Sequence, residues 1–447
     1  MKPKNLAQRL VSGAVWALVV KVFGVLGSLV VSIILARNLP PEEMGAYFLL
    51  VSIVAFSAAV ARFGSKYTVV RLVAESLAKG LPGRAGSSLK IIFAVVAIGS
   101  LLISGLYYIG VGRWLSLYIF ELPILTSVLA VTALWIFVLS FQTPVAEIFR
   151  GLHNIRMAVL LDGILPNVLF AVILCLLLIL GYVIDFNKVV QFSVVVLAGS
   201  LLIGSIFLIP QINKFMGDGT IDFKEVLNIS WPLLVLNVFT NLIGSFNIWL
   251  VAAFLVPDDI ALWGVASKLV TMVLWPLLLV DTTMPPVIST LYAKGEHEAL
   301  QNSLRGMATL AGIPALSVLF VLTAFGDQVL EIVYGEYYAN AYFILVILSF
   351  GQVVNVWTGS CSDVLAMTGH QKILMAIILA TGAFSILIAY IGIKYWAIVG
   401  IAVATAFGWI LQNIFLWLAV RKLTGLWTHG TFNIHFIRTA YLKLRNR

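Results

Sequence analysis

Apolar runs of twenty or so residues, parted by short polar connections, recur from one end of the chain to the other. A helix of about 20 residues matches the hydrocarbon thickness of a bilayer. The pattern predicts spans near 12–36, 45–70, 89–112, 123–146, 157–181, 189–210, 227–255, 261–291, 303–325, 339–367, 373–393 and 396–420. Inside a membrane no water satisfies the backbone, so only helices and closed barrels can cross. Barrel strands would alternate apolar and polar positions over short segments, whereas these runs are continuous. The expected fold is an all-α integral membrane protein with twelve transmembrane helices.

A weak internal repeat organises these spans. Pro41-Glu42-Glu43 precedes the second span as Pro257-Asp258-Asp259 precedes the eighth, with Tyr47 and Trp263 six positions after each proline. Gly151 and Ile155-Arg156-Met157-Ala158 after the fourth span are echoed by Gly369 and Ile373-Leu374-Met375-Ala376 after the tenth. Two six-helix halves lie in the same orientation, and such repeats place a substrate site at their interface. The expected division is 1–214, 215–420 and a basic tail, 421–447. The tail mixes Trp427, Phe432, Phe436 and Tyr441 with Arg438, Lys443 and Arg445, which suits either an interfacial amphipathic segment or a solvated end.

Composition supports this picture: 61% of residues are apolar and 11% charged, against roughly 45–50% and 25% for soluble domains. No connection is long enough to hold a soluble domain. The first span follows Lys2, Lys4 and Arg9 but is too long for a signal peptide and lacks a small-residue cleavage pattern, so it reads as retained. Most of the 28 Lys and Arg residues gather on one side; Arg37, Arg113, Lys188 and Lys394 fall on the other. Basic residues near span ends stay on the cytoplasmic side, which puts both termini there. The net charge of +9 is thus a topology signal and not a nucleic-acid footprint.

A charge at a helix centre costs about 2.5–3.5 kcal/mol on insertion scales, so each one asks for a partner or a wet cavity. Lys21, Arg62 and Lys268 fall inside spans and would suit phosphate or acidic sugar; the alternative is snorkelling of their long side chains to an interface. Asp281 and Asp363 are intramembrane carboxylates of the kind that take a coupling ion, or that form an ion pair or brace a helix break. Glu147 and Asp162 flank an inner loop and read as structural. Asn237, Asn241 and Asn247 need hydrogen-bond partners in lipid, whether a sugar or another helix. Trp231, Trp249, Trp263 and Trp275 fit an aromatic belt better than a sugar platform.

Catalytic signals are poor. His153, His297, His370, His429 and His435 show no metal-ligand or nucleophile spacing, and there is no Walker loop or dinucleotide turn. Cys175 and Cys361 read as packing residues inside spans. No catalytic residue, metal or cofactor is expected.

Leu35-Ala36-Arg37-Asn38-Leu39-Pro40-Pro41-Glu42-Glu43-Met44-Gly45-Ala46-Tyr47, Gly64, Pro286-Val287-Ile288-Ser289 and Ala293-Lys294-Gly295-Glu296 occur in order. Phe325-Gly326, Tyr334-Gly335-Glu336-Tyr337-Tyr338, Thr368-Gly369-His370-Gln371-Lys372 and Val399-Gly400-Ile401-Ala402 follow them. With these motifs the chain resembles polysaccharide-transport flippases of the O-antigen type, in the superfamily that also holds multidrug extruders and lipid II flippases. The resemblance implies two bundles around a central cavity that opens to either face in turn. Its implied substrate is an undecaprenyl-pyrophosphate-linked oligosaccharide, carried across the inner membrane for surface polysaccharide biosynthesis. Lys21 and Lys268 match the family's cavity cations, while Asn247 departs from a frequently acidic position. Implied partners are lipid-linked oligosaccharide and membrane lipid, with a polysaccharide polymerase and chain-length proteins alongside. The rival readings are a cation-coupled multidrug exporter of the same fold and a membrane-embedded glycan-processing enzyme.

Overall fold

The computed structural model describes residues 22–217 and 219–431. Helices and turns account for them, with no strand among the described residues. Packing divides the chain into two compact units, the first ending at Ala261 and the second beginning at Leu262. This division lies beyond the 214/215 boundary read from the repeat.

The first unit holds α1 (Val22–Asn38), α2 (Pro41–Ala61), α3 (Ser65–Ala78), α4 (Pro82–Leu106), α5 (Leu129–Gly151), α6 (Ile155–Ile179), α7 (Phe186–Leu208) and α8 (Phe223–Phe254). Helix α8 packs on α2, α3 and α4, which is why it joins this unit. Helix α9 (Pro257–Val270) runs through the division point. The second unit continues with α10 (Trp275–Ala293), α11 (His297–Ala324), α12 (Gly326–Tyr334), α13 (Tyr342–Thr358), α14 (Cys361–Met367) and α15 (Gln371–Thr424). Ten stretches among the described residues are long and apolar enough to cross a bilayer, and Val22–Asn38 is a shorter apolar helix.

The repeated motifs turn out to be helix starts. Pro41 and Pro257 open α2 and α9, each followed by two acids in the first turn: Glu42 and Glu43, then Asp258 and Asp259. Proline at the first helical position loses no hydrogen bond, and carboxylates there meet the positive end of the helix dipole. Where no proline serves, side chains cap: Asp185 Oδ1 accepts from the Lys188 amide at 2.8 Å, and Asn154 Oδ1 from the Met157 amide at 3.3 Å.

Each unit has its own core, and both leave large apolar side chains outside. Leu72, Ile92, Val96 and Ile148 centre one cluster in the first unit; Ile288, Leu300, Leu304, Leu365 and Leu416 centre that of the second. Along α7, Val195, Leu202 and Ile206 are more than half exposed on one helical stripe. Water would penalise such a stripe, whereas acyl chains cover it. The protein is a multi-pass membrane protein.

Several expected spans are not continuous α-helices; that at 123–146 opens with a 3-10 segment at Pro123–Val128, and that at 157–181 leaves helical geometry at Gly163 (φ 151°). The span at 45–70 breaks between α2 and α3, where Phe63 (φ 48°) and Gly64 (φ 74°) take left-handed geometry. The span at 339–367 breaks at Gly359 (φ 71°), so that Asp363 sits on the short helix α14. The span at 261–291 starts earlier, at Pro257, and passes through a 3-10 turn at Thr271–Leu274. Polar residues do mark the breaks within 45–70 and 339–367, Arg62, Gly64, Ser65 and Lys66 at one and Gly359, Ser360, Ser362 and Asp363 at the other, but the apolar runs on either side bridge such short dips into one span.

The separation of 373–393 from 396–420, by contrast, is present. A straight α15 would reach about 80 Å at ~1.5 Å per residue, against about 30 Å of hydrocarbon. Its backbone leaves helical geometry at Trp396 and Ala397, the latter at φ 46°. The arms 371–395 and 398–424 fold back on each other: Ser385 Oγ donates to the Ala404 carbonyl at 3.2 Å. A Cβ on Gly392 would stand 2.8 Å from the Gly400 carbonyl oxygen. Gly392→Leu is therefore expected to lower the thermal midpoint of the solubilised protein, by an overpacking cost of about 3 kcal/mol. An unchanged melting curve would mean that the arms do not touch there.

Past α15, residues 425–431 fold back over the second unit. Trp427 N donates to Gln301 Oε1 at 2.9 Å, Thr431 N to Thr309 Oγ1 at 2.9 Å, and Gly430 N to the Trp357 carbonyl at 3.0 Å. Thr428 is fully buried, its Oγ1 3.1 Å from Cys361 Sγ. This part of the basic tail is a docked strap; 432–447, with His435 and the tail's last basic residues, lie outside the described residues. His429 packs among Trp357, Trp417 and Trp427, and its Nδ1 accepts from Trp417 Nε1 at 3.3 Å.

Burial, and then the Arg305 cation, hold the His429 imidazole below its usual range. The undocked strap therefore binds a proton more readily than the docked one, and docking weakens as the pH falls through the depressed value. Hydrogen exchange at the Trp427 and Gly430 amides, corrected for the intrinsic rate, should speed up between about pH 7.5 and about pH 5. Constant protection across that window would show that His429 does not set the docking.

Candidate functional site

The break between α2 and α3 builds a polar site inside the first unit. Helix α2 ends at Arg62, whose amide still donates to the Ala58 carbonyl at 3.1 Å, and Ser65 N returns to the Arg62 carbonyl at 3.0 Å. Gly64 lets the chain turn because it carries no side chain. A Cβ there would stand 2.7 Å from the Leu234 amide nitrogen and closer still to the Ser230 carbonyl oxygen, so α8 lies directly on the break. Thr68 Oγ1 fastens the same place, 3.1 Å from Ser230 Oγ.

Arg62 is 8% exposed, far from free water for a guanidinium. Its Nη1 donates to Thr143 Oγ1 of α5 at 2.7 Å. Its Nε has no partner among the described residues, and neither has the hydroxyl of buried Ser65. Both residues line a cavity of ≈ 10 Å³, closed by Phe63, Ile92, Val226 and Ser230. That is room for one water or one phosphoryl oxygen. Ser65 is also the first residue of α3, a 14-residue helix, whose amide end favours an anion. One buried cation and one buried hydroxyl, each with an unpartnered donor, thus line the same small space at the start of a helix.

A second group of charges stands beside it. Glu147, one turn beyond Thr143 on α5, is 1% exposed; its Oε1 accepts from Arg150 Nη1 at 3.0 Å. Arg150 Nη2 also meets Asp162 Oδ2 of α6 at 3.5 Å. Glu147 and Asp162 are near enough to attract Arg62 electrostatically, yet no ion pair reaches Arg62 among the described residues.

The other expected site residues distribute as follows. Lys21 lies outside the described residues, and Asp281 is on α10 with its side chain likewise outside them. Lys268, half-buried near the end of α9, and Asp363 on α14 each already make a contact. Asn237 and Asn241 sit on α8 at seven and eleven positions past Ser230, so they continue its stripe. Asn241 Nδ2 donates to Asn237 Oδ1 at 2.7 Å, while the buried Nδ2 of Asn237 has no partner among the described residues. Asn247 lies off that stripe and is half-buried.

Trp249 and Trp263, two of the four tryptophans, make contacts within the protein. Trp249 Nε1 donates to Ser52 Oγ at 2.9 Å and packs edge-on against Phe56, and Trp263 is buried. A roomier pocket of ≈ 360 Å³ near Leu174, Tyr182 and Phe192 is apolar, and its Lys188 is held by Asp185 at 3.0 Å. Arg62 was legible as an intramembrane charge; Ser65, Thr143 and Ser230 were not, since serine and threonine are common in membrane helices.

Comparison with known proteins agrees with this architecture. A family model described as polysaccharide biosynthesis protein matches residues 10–292. No curated protein matches. Among solved structures, an inward-facing multidrug resistance MATE family transporter of the MOP superfamily aligns with TM-score 0.70 at 16% identity, over 92% of this chain and 99% of that one. The lipid II flippase MurJ, in an inward closed conformation, aligns with TM-score 0.71 at 13% identity, over 96% of this chain and 91% of that one. A MOP superfamily transporter from Pyrococcus furiosus, whose binding pocket is described as reversed in polarity, gives 0.61 at 16% identity, over 92% and 94%. At such identities these structures establish the shared transporter fold, in which each is a transporter or flippase and not an enzyme. With the family model covering more than half its length, the chain belongs to the polysaccharide biosynthesis protein family.

Proposed function

We propose that this protein flips an undecaprenyl-pyrophosphate-linked oligosaccharide from the cytoplasmic to the outer leaflet, as a step in building a surface polysaccharide such as O-antigen. One observation carries the reading: buried Arg62 and Ser65, each with a donor that has no partner among the described residues, line the same small cavity of ≈ 10 Å³. A charge-assisted hydrogen bond to phosphate is roughly twice as strong as a neutral one, and a desolvated guanidinium without a carboxylate partner has reason to wait for such an anion. The polyprenyl tail stays in lipid, so only the polar head has to be sheltered over about 30 Å.

In this proposal the protein sits in the inner membrane with both termini cytoplasmic, as twelve helices in two halves, 1–214 and 215–420, that alternate access. Lys21, Arg62 and Lys268 are the cations for pyrophosphate or acidic sugar, and Asn237, Asn241 and Asn247 meet the glycan. Asp281 and Asp363 take the coupling ion, and a polymerase and chain-length proteins act on the delivered product. The fold shared with MATE transporters supports a second reading, a cation-coupled exporter of small molecules.

Deletion of the gene separates the two. Loss of surface glycan with lipid-linked oligosaccharide accumulating on the inner leaflet is expected, restored by the wild-type chain and not by Lys268→Ala. Unchanged glycan together with new sensitivity to toxic cations would replace the flippase with the exporter.

A further inference from the structure

Glu147 has no part in the proposal above, and its surroundings are unusual for a carboxylate. It is 1% exposed on a membrane-spanning helix, and its Oε2 accepts no hydrogen bond among the described residues. An ionised carboxylate offers about four acceptor sites on its two oxygens, and an orphaned anionic oxygen in a low-dielectric interior is far costlier than a neutral one. Arg150 engages only the other oxygen, and Arg150 has a second partner in Asp162. Neutralising Glu147 therefore does not strand the arginine.

We infer that Glu147 is a proton-binding site, and that its proton and an anion in the Arg62–Ser65 cavity bind cooperatively. The charged groups that face Glu147 are Arg150 on its own helix, Asp162 on α6, Lys66 on α3 and Arg62 at the α2–α3 break. With both carboxylates ionised, three cations and two anions leave one positive charge; with Glu147 protonated, two remain. An anion beside Arg62 thus meets a more positive field when the proton is on. By linkage the anion raises the affinity for the proton by the same factor. At an effective dielectric of about 20, one charge about 12 Å away is worth about a tenfold change in anion affinity. The anion half of this inference rests on the reading of Arg62 given above; the proton half does not.

Infrared difference spectroscopy on the purified full chain in nanodiscs, titrated with acid, tests the proton half without any substrate. A carbonyl band of a protonated, water-excluded carboxylic acid should grow as the sample is acidified, vanish in Glu147→Gln, and shift in Glu147→Asp. Wild-type spectra without that band, or with a band that survives in Glu147→Gln, would overturn the site. Binding of inorganic pyrophosphate tests the linkage. Wild type and Glu147→Gln should bind alike at acid pH, with wild type about tenfold weaker at alkaline pH. A constant ratio would overturn the cooperativity even if the band is present. Absence of pyrophosphate binding in both would count against Arg62 as the anion site and leave the infrared result to decide Glu147.

Discussion

Gly64→Ala should leave almost no folded protein in the membrane. Gly64 is held at φ 74°, a left-handed conformation that costs a residue with a Cβ roughly 1–2 kcal/mol. The steric cost is larger. The new methyl group would fall onto the Ser230 carbonyl oxygen and stand 2.7 Å from the Leu234 nitrogen, both backbone atoms of α8. Backbone cannot rotate aside as a flexible side chain would, so either α8 moves off the break or the break straightens. Either movement also parts Thr68 from Ser230. A combined cost above about 4 kcal/mol is expected, in the range that marks structural failure. Membrane-fraction immunoblotting and size-exclusion profiles of the solubilised protein would read it. A monodisperse peak at wild-type level would contradict the close approach of α8 to the α2–α3 break.

Arg62→Met should do the opposite: keep or improve stability and slow transport at least about tenfold. Burying a guanidinium costs several kcal/mol even after relaxation, and replacing buried charges with apolar residues of similar volume is often neutral or stabilising by about 1–4 kcal/mol. Here the native charge is only partly compensated, by Thr143 Oγ1 at 2.7 Å, while Nε goes without a partner among the described residues. The methionine variant leaves that threonine hydroxyl free to donate to a backbone carbonyl, a common resort in helices. If the charge is retained for an anionic ligand, its loss removes a charge-assisted bond of about 1.5–3 kcal/mol. That is about a ten- to hundredfold loss of surface glycan export at equal protein level. Arg62→Lys keeps the charge without the forked geometry and should fall between. Loss of folding in Arg62→Met would make the arginine a structural brace instead.

How much of this could be read from the residues varies with the physical signal. The membrane class and helical fold follow from the length of the apolar runs, because bilayer thickness imposes a scale. The turn near Trp396 follows for the same reason: a 54-residue helix cannot fit the bilayer as one span. Pro41-Glu42-Glu43 and Pro257-Asp258-Asp259 are visible because they are local helix-start chemistry, paired by the repeat.

The α2–α3 break was hidden because the apolar runs before Arg62 and from Val69 onward bridge the short polar stretch between them, and a single glycine is common in membrane helices. Gly64 stood out only through family resemblance, and its purpose emerges only when α8 is seen resting on it. Arg62 was legible as a charge in lipid, but its partner Thr143 lies 81 residues away. Glu147 looked structural for want of any sign that one of its oxygens is orphaned.

The most direct test is a flipping assay in proteoliposomes loaded with a labelled undecaprenyl-pyrophosphoryl oligosaccharide on one leaflet, comparing wild type with Arg62→Met. Arrival of label at the far leaflet should be rapid with wild type and slowed at least about tenfold in the variant, with both proteins equally folded. Equal rates would show that the buried guanidinium plays no part in carrying the phosphate.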